Sequence, residues 1–263
     1  MVGLSLFLIE HDYQGALTAF ESAAALPGWE KLEGREVVDL LIGNTHLALA
    51  VETAAACDRE GVLAHIDAAL QHFDAAVQQA PTYARAYAGK ASAHYLASVW
   101  APEDSANCQF ESIDPASLQL AKQDIAAAQQ ASEQPKEIGV CSRMLLTEAQ
   151  IGFMDWWAAS TTAPSLDELK QQPFWTTTEK VIANYENGDN VSVGQVAADA
   201  RVLRGQALFA LGDCWSAQDE LDAALAIAEA TPERRMDVWS MKGDCFVELQ
   251  QNSAASDAYN QAL

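Results

Sequence analysis

The closing stretch of the chain, Met236–Leu263, reads MDVWSMKGDCFVELQQNSAASDAYNQAL and holds the pattern that decides the fold. Counted from Met236 as position 1, large and small side chains fall at positions 4, 8, 11, 20, 24 and 27: Trp239, Gly243, Phe246, Ala255, Tyr259 and Ala262. The window that starts at Ala198 has the same register from position 8 onward: Gly205, Leu208, Ala217, Leu221 and Ala224. Spacings of three and four are typical of amphipathic helices, so the chain is predicted to repeat a pair of helices.

Weaker copies of the same pattern occur earlier in the chain. The small and large residues of positions 20, 24 and 27 recur in three places: Ala16, Phe20 and Ala23; Ala69, Phe73 and Ala76; Ala121, Ile125 and Ala128. This pattern resembles the tetratricopeptide repeat (TPR), W-x2-L-G-x2-Y followed by A-x3-F and P. The resemblance implies an all-α fold, a right-handed solenoid of antiparallel helical hairpins. The small residue at position 8 should let the two helices of a hairpin approach closely.

The predicted organisation is a single TPR-like helical-repeat domain over 1–263 that is a fragment of a longer chain. Its units have the approximate bounds 1–28, 36–81, 82–135, 136–188, 198–231 and 236–263. The terminal units are truncated, and about twelve helices are expected. End-to-end self-association through the uncapped terminal helices is one expectation from these ends.

The middle units depart from the motif in length. Gly43 and Ala69 are 26 positions apart where the motif allows 12, and the third unit carries an insertion of 20. The part of that insertion from Ala101 to Pro115 has four acids and no base, which predicts a solvated loop that can be removed. The fourth unit fits worst, since Arg143 stands where a small residue belongs.

The charge of the chain excludes one class of partner. Lys and Arg number 15 against 37 Asp and Glu, a formal net charge of −22. Nucleic-acid binding depends on clustered basic side chains, so no nucleic-acid partner is expected. No targeting or membrane-spanning segment is recognised, so no membrane insertion is expected, and cytoplasmic and extracytoplasmic locations both stay open.

No residue pattern points to catalysis, a cofactor or a metal. The chain has no glycine-rich phosphate loop and no nucleophile elbow. His65 and His72 are seven residues apart on one helix, about 10.5 Å along its axis, too far to share one zinc. Cys57, Cys214 and Cys245 are interpreted as small apolar side chains inside hairpins. Cys108 is expected to be exposed, as a free thiol or paired with Cys141.

Three of the seven Trp gather in the fourth unit, in the cluster of Phe153, Trp156, Trp157, Phe174 and Trp175. Two interpretations stay open. The cluster forms an aromatic groove for a partner, or it fills the wide gap of an irregular hairpin.

The resemblance implies a function: a non-catalytic scaffold that binds an extended peptide or protein in a concave groove. The alternative is a sensory or regulatory arm of a larger enzyme or signalling protein. Helix positions 2, 5, 9, 12 and 13 line the groove in this family, and the site residues predicted in this way are Tyr83, Lys90, His94, Gln206, Phe209, Asp237, Asp244 and Glu248. The family's clamp for acidic chaperone tails is missing, since Leu40 occupies its Lys position. The excess of acids favours a basic or neutral partner.

Overall fold

The computed structural model describes residues 2–28, 34–103, 112–131, 138–159, 164–187, 190–227 and 232–263. Throughout these ranges the regular structure is helical and contains no strand, which confirms the all-α class. The chain divides into two compact units, 1–135 and 136–263. This boundary coincides with the predicted start of the fourth repeat.

Unit 1 is a succession of helices in which each one packs on its neighbours in the chain. A short π-helical segment, Leu6–Glu10, lies between the first two helices. The described helices are α1 (Val2–Ser5), α2 (Tyr13–Ala24), α3 (Arg35–Ala54), α4 (Arg59–Gln79), α5 (Ala84–Trp100) and α6 (Pro115–Gln130). The tightest pairs are α3 with α4 and α5 with α6, and α4 joins the two pairs by packing on α5.

A single aromatic ring determines how closely α3, α4 and α5 approach. Phe73 of α4 is completely buried, with Gly43 of α3 on one side and Gly89 of α5 on the other. A Cβ added at Gly43 would lie 2.5 Å from Phe73 Cε1, and one added at Gly89 would lie 2.6 Å from it. The glycine of position 8 therefore has the steric role that the sequence predicts, and Phe73 contacts the glycines of two successive units.

Aspartate residues start the second helix of each of the first three hairpins. The carboxylates of Asp12, Asp58 and Asp114 each accept a hydrogen bond from the backbone N–H three residues further on, at 2.9–3.0 Å. Such N-caps satisfy a helix donor that has no partner inside the helix. Asp213 makes the same contact with Ser216 in unit 2, at 3.1 Å.

Both ends of the 101–115 segment are held by hydrogen bonds to neighbouring helices. The guanidinium of Arg59 donates hydrogen bonds to the carbonyls of Trp100, Ala101 and Pro102. At the other end, Asp114 N–H donates to the carbonyl of Ser98, and Pro115 already belongs to α6. The predicted loop from Ala101 to Pro115 is therefore too long at its C-terminal end, since Asp114 caps α6 and Pro115 belongs to it; residues 104–111 lie outside the described part, and removal of the segment stays a prediction.

Unit 2 contains seven described helices: α7 (Ile138–Ala159), α8 (Leu166–Lys170), α9 (Pro173–Glu186), α10 (Asn190–Ala210), α11 (Cys214–Leu225), α12 (Pro232–Glu248) and α13 (Asn252–Ala262). The motif glycines again face large side chains. A Cβ at Gly243 would lie 2.3 Å from the Tyr259 ring, and one at Gly205 would lie 3.0 Å from a Leu221 methyl. Helix pairs α10/α11 and α12/α13 therefore follow the predicted register.

Two expectations about unit 2 need correction. The small residue of the fourth hairpin is Gly152, which approaches the Cβ of Phe174 in α9, while Arg143 is exposed. Ala262 is only half-buried because α13 ends there, and Ala258 is the buried residue of that turn. The other alanines expected at helix contacts are buried: Ala69, Ala76, Ala217, Ala224 and Ala255.

One described helix, α3, is long and apolar enough to cross a membrane by length and composition, with a mean hydropathy of 1.2 over its most apolar window. In the structure it packs on α2, α4 and α5. The core helix of a folded protein and a signal sequence near the N-terminus pass the same test, and 33% of this window is buried.

Candidate functional site

The most open of the predicted partner-binding positions are on α12. Asp237, Asp244 and Glu248 are spaced by seven and four residues, which puts them on one face of the helix. All three are exposed, and the Asp237 side chain is 63% accessible. Met236 and Val247, each 48% exposed, lie beside this row, about 80–100° around the helix from Asp237. We call these five residues the α12 face, a surface that combines carboxylates with apolar side chains.

Neighbouring side chains hold two carboxylates of the α12 face in place. Arg234 donates to Asp237 at 3.1 Å and also pairs with Asp199 of α10 at 2.7 Å. The hydroxyl of Tyr259 donates to Asp244 at 2.7 Å, and this hydrogen bond raises the pKa of Tyr259 to about 12. The α12 face therefore presents carboxylates whose positions are partly fixed before any partner binds.

Helix α10 contributes little open surface. Gln206 is exposed, but Phe209 is half-buried and packs against the core cluster of unit 2. Val202, another position that the TPR pattern assigns to the groove wall, is buried. The prediction for α10 therefore reduces to Gln206 and the outer edge of Phe209.

In unit 1, the predicted site residues are held in internal contacts. Lys90 pairs with Asp74 at 2.9 Å and with Asp124 at 3.5 Å, and His94 Nδ1 lies 2.7 Å from Asp124. Burial acts to lower the pKa of Lys90, but the two carboxylates outweigh it and raise that pKa. Tyr83 is half-buried at the start of α5.

Three further residues of unit 1 occupy positions 5 and 12 of the motif, which the TPR pattern places on the groove wall, but they are buried. Ala86, Ala93 and Leu40 are buried, because the neighbouring helices cover them. The TPR positions were carried over by counting along the motif, and that counting takes no account of how closely glycine lets adjacent helices pack. These three residues are therefore corrected to core positions.

Three basic side chains of unit 2 pair with acids of the same unit. Arg201 pairs with Glu186 and Glu220, and Arg204 pairs with Glu220 and stacks on Trp175, its guanidinium carbon 4.0 Å from the ring centre. Lys242 pairs with Asp222 and lies over Trp239. These cations are neutralised within the fold, whereas the carboxylates of the α12 face point to solvent.

The aromatic cluster of unit 2 is mostly a core. Phe174 and Trp175 are buried, and the ring centres of Phe153, Trp156 and Phe174 lie 5.5–5.7 Å apart. Only Trp157 extends outward, with 46% of its surface exposed. The structure therefore favours the interpretation in which these rings fill the wide gap between α7 and α9.

The cysteines differ from the prediction in one respect. Cys214 and Cys245 are free and buried, as expected of apolar side chains, and burial together with the hydrogen bond to Cys214 raises the pKa of Cys245 to about 12. Cys57, however, is disulfide-bonded and is not a filler. It stands at the end of α3 with a left-handed backbone, φ 56°. The proposed pairing of Cys108 with Cys141 lies outside the described residues.

Sequence reasoning missed a histidine cluster in unit 1. Among the described side chains, no group of three or more His, Cys, Asp or Glu is arranged to hold a metal ion. However, His46 of α3 lies between His65 and His72 of α4, with ring centres 5.5 Å and 6.1 Å from its own. Only the pairing of α3 with α4 brings His46 here, and linear spacing gave no sign of it.

Comparison of the chain with protein-family models, with curated proteins and with solved structures gives no match. The functional argument therefore depends on the geometry described above.

Proposed function

We propose that this protein is a helical-repeat scaffold of TPR-like hairpins that binds an extended, basic or neutral protein segment on the α12 face. The glycine-to-ring contacts of α3–α5 and α12–α13 and the Asp-capped second helices support the TPR-like assignment. A right-handed stacking of successive hairpins within each unit belongs to the same proposal.

One observation carries the charge preference. The neighbouring cations are engaged in ion pairs, Arg234 with Asp199 and Asp237 and Lys242 with Asp222, while the side chains of Asp237, Asp244 and Glu248 remain exposed. Exposed charges each contribute only about 0.2–1 kcal/mol, so selectivity must come from several of them together. The apolar surface of Met236 and Val247 gives such a segment a contact that salt does not screen.

The experiment compares basic, neutral and acidic extended peptides of equal length by fluorescence anisotropy at increasing ionic strength. We expect basic peptides to bind most tightly and to weaken with salt, because the Debye length shortens from about 10 Å at 0.1 M to about 3 Å at 1 M. A preference for the acidic peptide, or no binding of any peptide, would contradict the proposal.

A matched pair of triple variants locates the surface. Asp237→Asn, Asp244→Asn and Glu248→Gln together remove three charges from the α12 face. The control removes three charges from other exposed acids, Glu21→Gln, Asp67→Asn and Asp257→Asn. If the two triple variants weaken basic-peptide binding equally, only net charge matters and the α12 face is not the site.

A further inference from the structure

The histidine cluster between α3 and α4 has a geometry suited to a ligand. The Nδ1 atoms of His46 and His65 face each other at 3.2 Å, and both rings are half-buried. In a tetrahedral zinc site, two nitrogen ligands at about 2.0–2.1 Å from the ion are separated by about 3.3 Å. The two nitrogens therefore already have the separation that a shared ion requires.

We propose that His46 and His65 form a two-histidine site for a divalent transition-metal ion of the zinc class, with water completing the coordination. Imidazole nitrogen suits such ions, whereas Mg²⁺ prefers oxygen ligands. Two protein ligands leave at least two positions open. The site is therefore an exchangeable one and differs from the closed four-ligand sites that hold structural zinc.

The protonation states of the two rings are compatible with binding. In the metal-free pair, one Nδ1–H donates to the other Nδ1, so one ring has its proton on Nδ1. That ring moves its proton to Nε2 when the ion binds, and two neutral rings then ligate with no net proton release.

His72 has a different role in the same cluster. Its Nδ1 lies 3.0 Å from Asp39, and Gln79 also donates to that carboxylate at 2.6 Å. Burial raises the pKa of Asp39, but the hydrogen bonds from His72 and Gln79 outweigh it, so that pKa is lowered overall. His72 is thus held by α3 beside the His46 ring with its Nδ1 engaged, and it serves as the matched control for a ligand histidine.

The test is isothermal titration of the full chain with zinc chloride at pH 7.5 and physiological salt, with magnesium chloride as the comparison. We expect one saturable zinc site and no comparable magnesium site, which separates the pair from general attraction to an acidic surface. His65→Gln should weaken zinc binding at least tenfold, and His72→Gln should change it less than threefold.

His46→Gln should match His65→Gln, provided that circular dichroism shows an unchanged helix content. A second measurement does not depend on any variant: the Nδ1 resonances of the two rings should shift on zinc addition in a ¹⁵N spectrum, while that of His94 stays in place. Absence of saturable zinc binding overturns the proposal. The proposal is also overturned if His72→Gln lowers the zinc affinity as much as His65→Gln does.

Discussion

The packing of the Phe73 ring between Gly43 and Gly89 gives a testable prediction about the fold. In Gly89→Ala, the new Cβ would lie 2.6 Å from a ring atom of Phe73, and the ring cannot move away because Gly43 closes its other side. Overpacking of this kind costs about 1–3 kcal/mol, while alanine gains about 1 kcal/mol of helix propensity. We expect a net loss of up to about 2 kcal/mol in the free energy of unfolding, measured by urea denaturation with hydrogen exchange of α3–α5 to assign the transition to unit 1.

A double-mutant cycle separates this clash from a general effect of alanine. In a Phe73→Leu background the ring is absent, so Gly89→Ala should become neutral or stabilising. Gly205→Ala is the second control, because its Cβ meets a terminal methyl of Leu221 at 3.0 Å, which can rotate. An equal cost of Gly89→Ala in both backgrounds would refute the argument that the ring determines helix spacing.

Two further predictions concern titration and cysteine chemistry. The pKa of His46, lowered by burial and by its neighbouring histidines to about 4, is well below the unfolded value of about 6.5, so the unfolded chain binds more protons. The stability that neutral His46 contributes should therefore be fully present above about pH 6.5 and fall by on the order of 2 kcal/mol toward pH 4. Melting temperatures of His46→Gln should not show this dependence on pH. An identical dependence in the variant would contradict the assignment to His46. Because Cys57 is disulfide-bonded while Cys214 and Cys245 are free, reduction should cost about 2–4 kcal/mol of stability. Peptide mapping without reductant should show a disulfide-linked peptide that contains Cys57, and alkylation of all five thiols would disprove it.

The register of the repeat could be predicted from the sequence because the contacts it encodes lie within one hairpin. Gly243 with Tyr259, and Gly205 with Leu221, are both sixteen residues apart in the chain, and each pair meets in the structure. The helix type and the buried alanines follow from the same local spacing. These features depend only on the helical period and on side-chain size.

The site was less predictable, because its geometry depends on contacts between hairpins. Lys90 and His94 have the right residue types and motif positions for a groove, yet ion pairs to Asp74 and Asp124 occupy them. The partners of those pairs belong to other helices, α4 and α6, which no count along α5 can identify. For the same reason His46 escaped notice, since its neighbours in space are 19 and 26 residues away.

The irregular lengths of unit 1 have a common cause. Helix α3 ends at Ala54, eleven residues after Gly43, and α5 ends at Trp100, eleven residues after Gly89. In unit 2, α10 and α12 end only five residues after their motif glycines. The extra residues between Gly43 and Ala69 therefore lengthen the helices on both sides of the turn, and most of them form no loop.

Because α3, α4 and α5 are all extended, the apolar side chains on the added turns of one helix pack against the added turns of its neighbour. Two extra turns on α3 and α4 would leave apolar surface exposed beside a short α5. The longer α5 instead brings Trp100 against Val62 and Ile66 of α4, and all three are at most 5% exposed. Burial of a Trp side chain of this kind contributes several kcal/mol, enough to favour an α5 that extends as far beyond Gly89 as α3 extends beyond Gly43. The acidic segment begins after Trp100, where α5 ends and the Arg59 guanidinium donates a hydrogen bond to the carbonyl of Trp100.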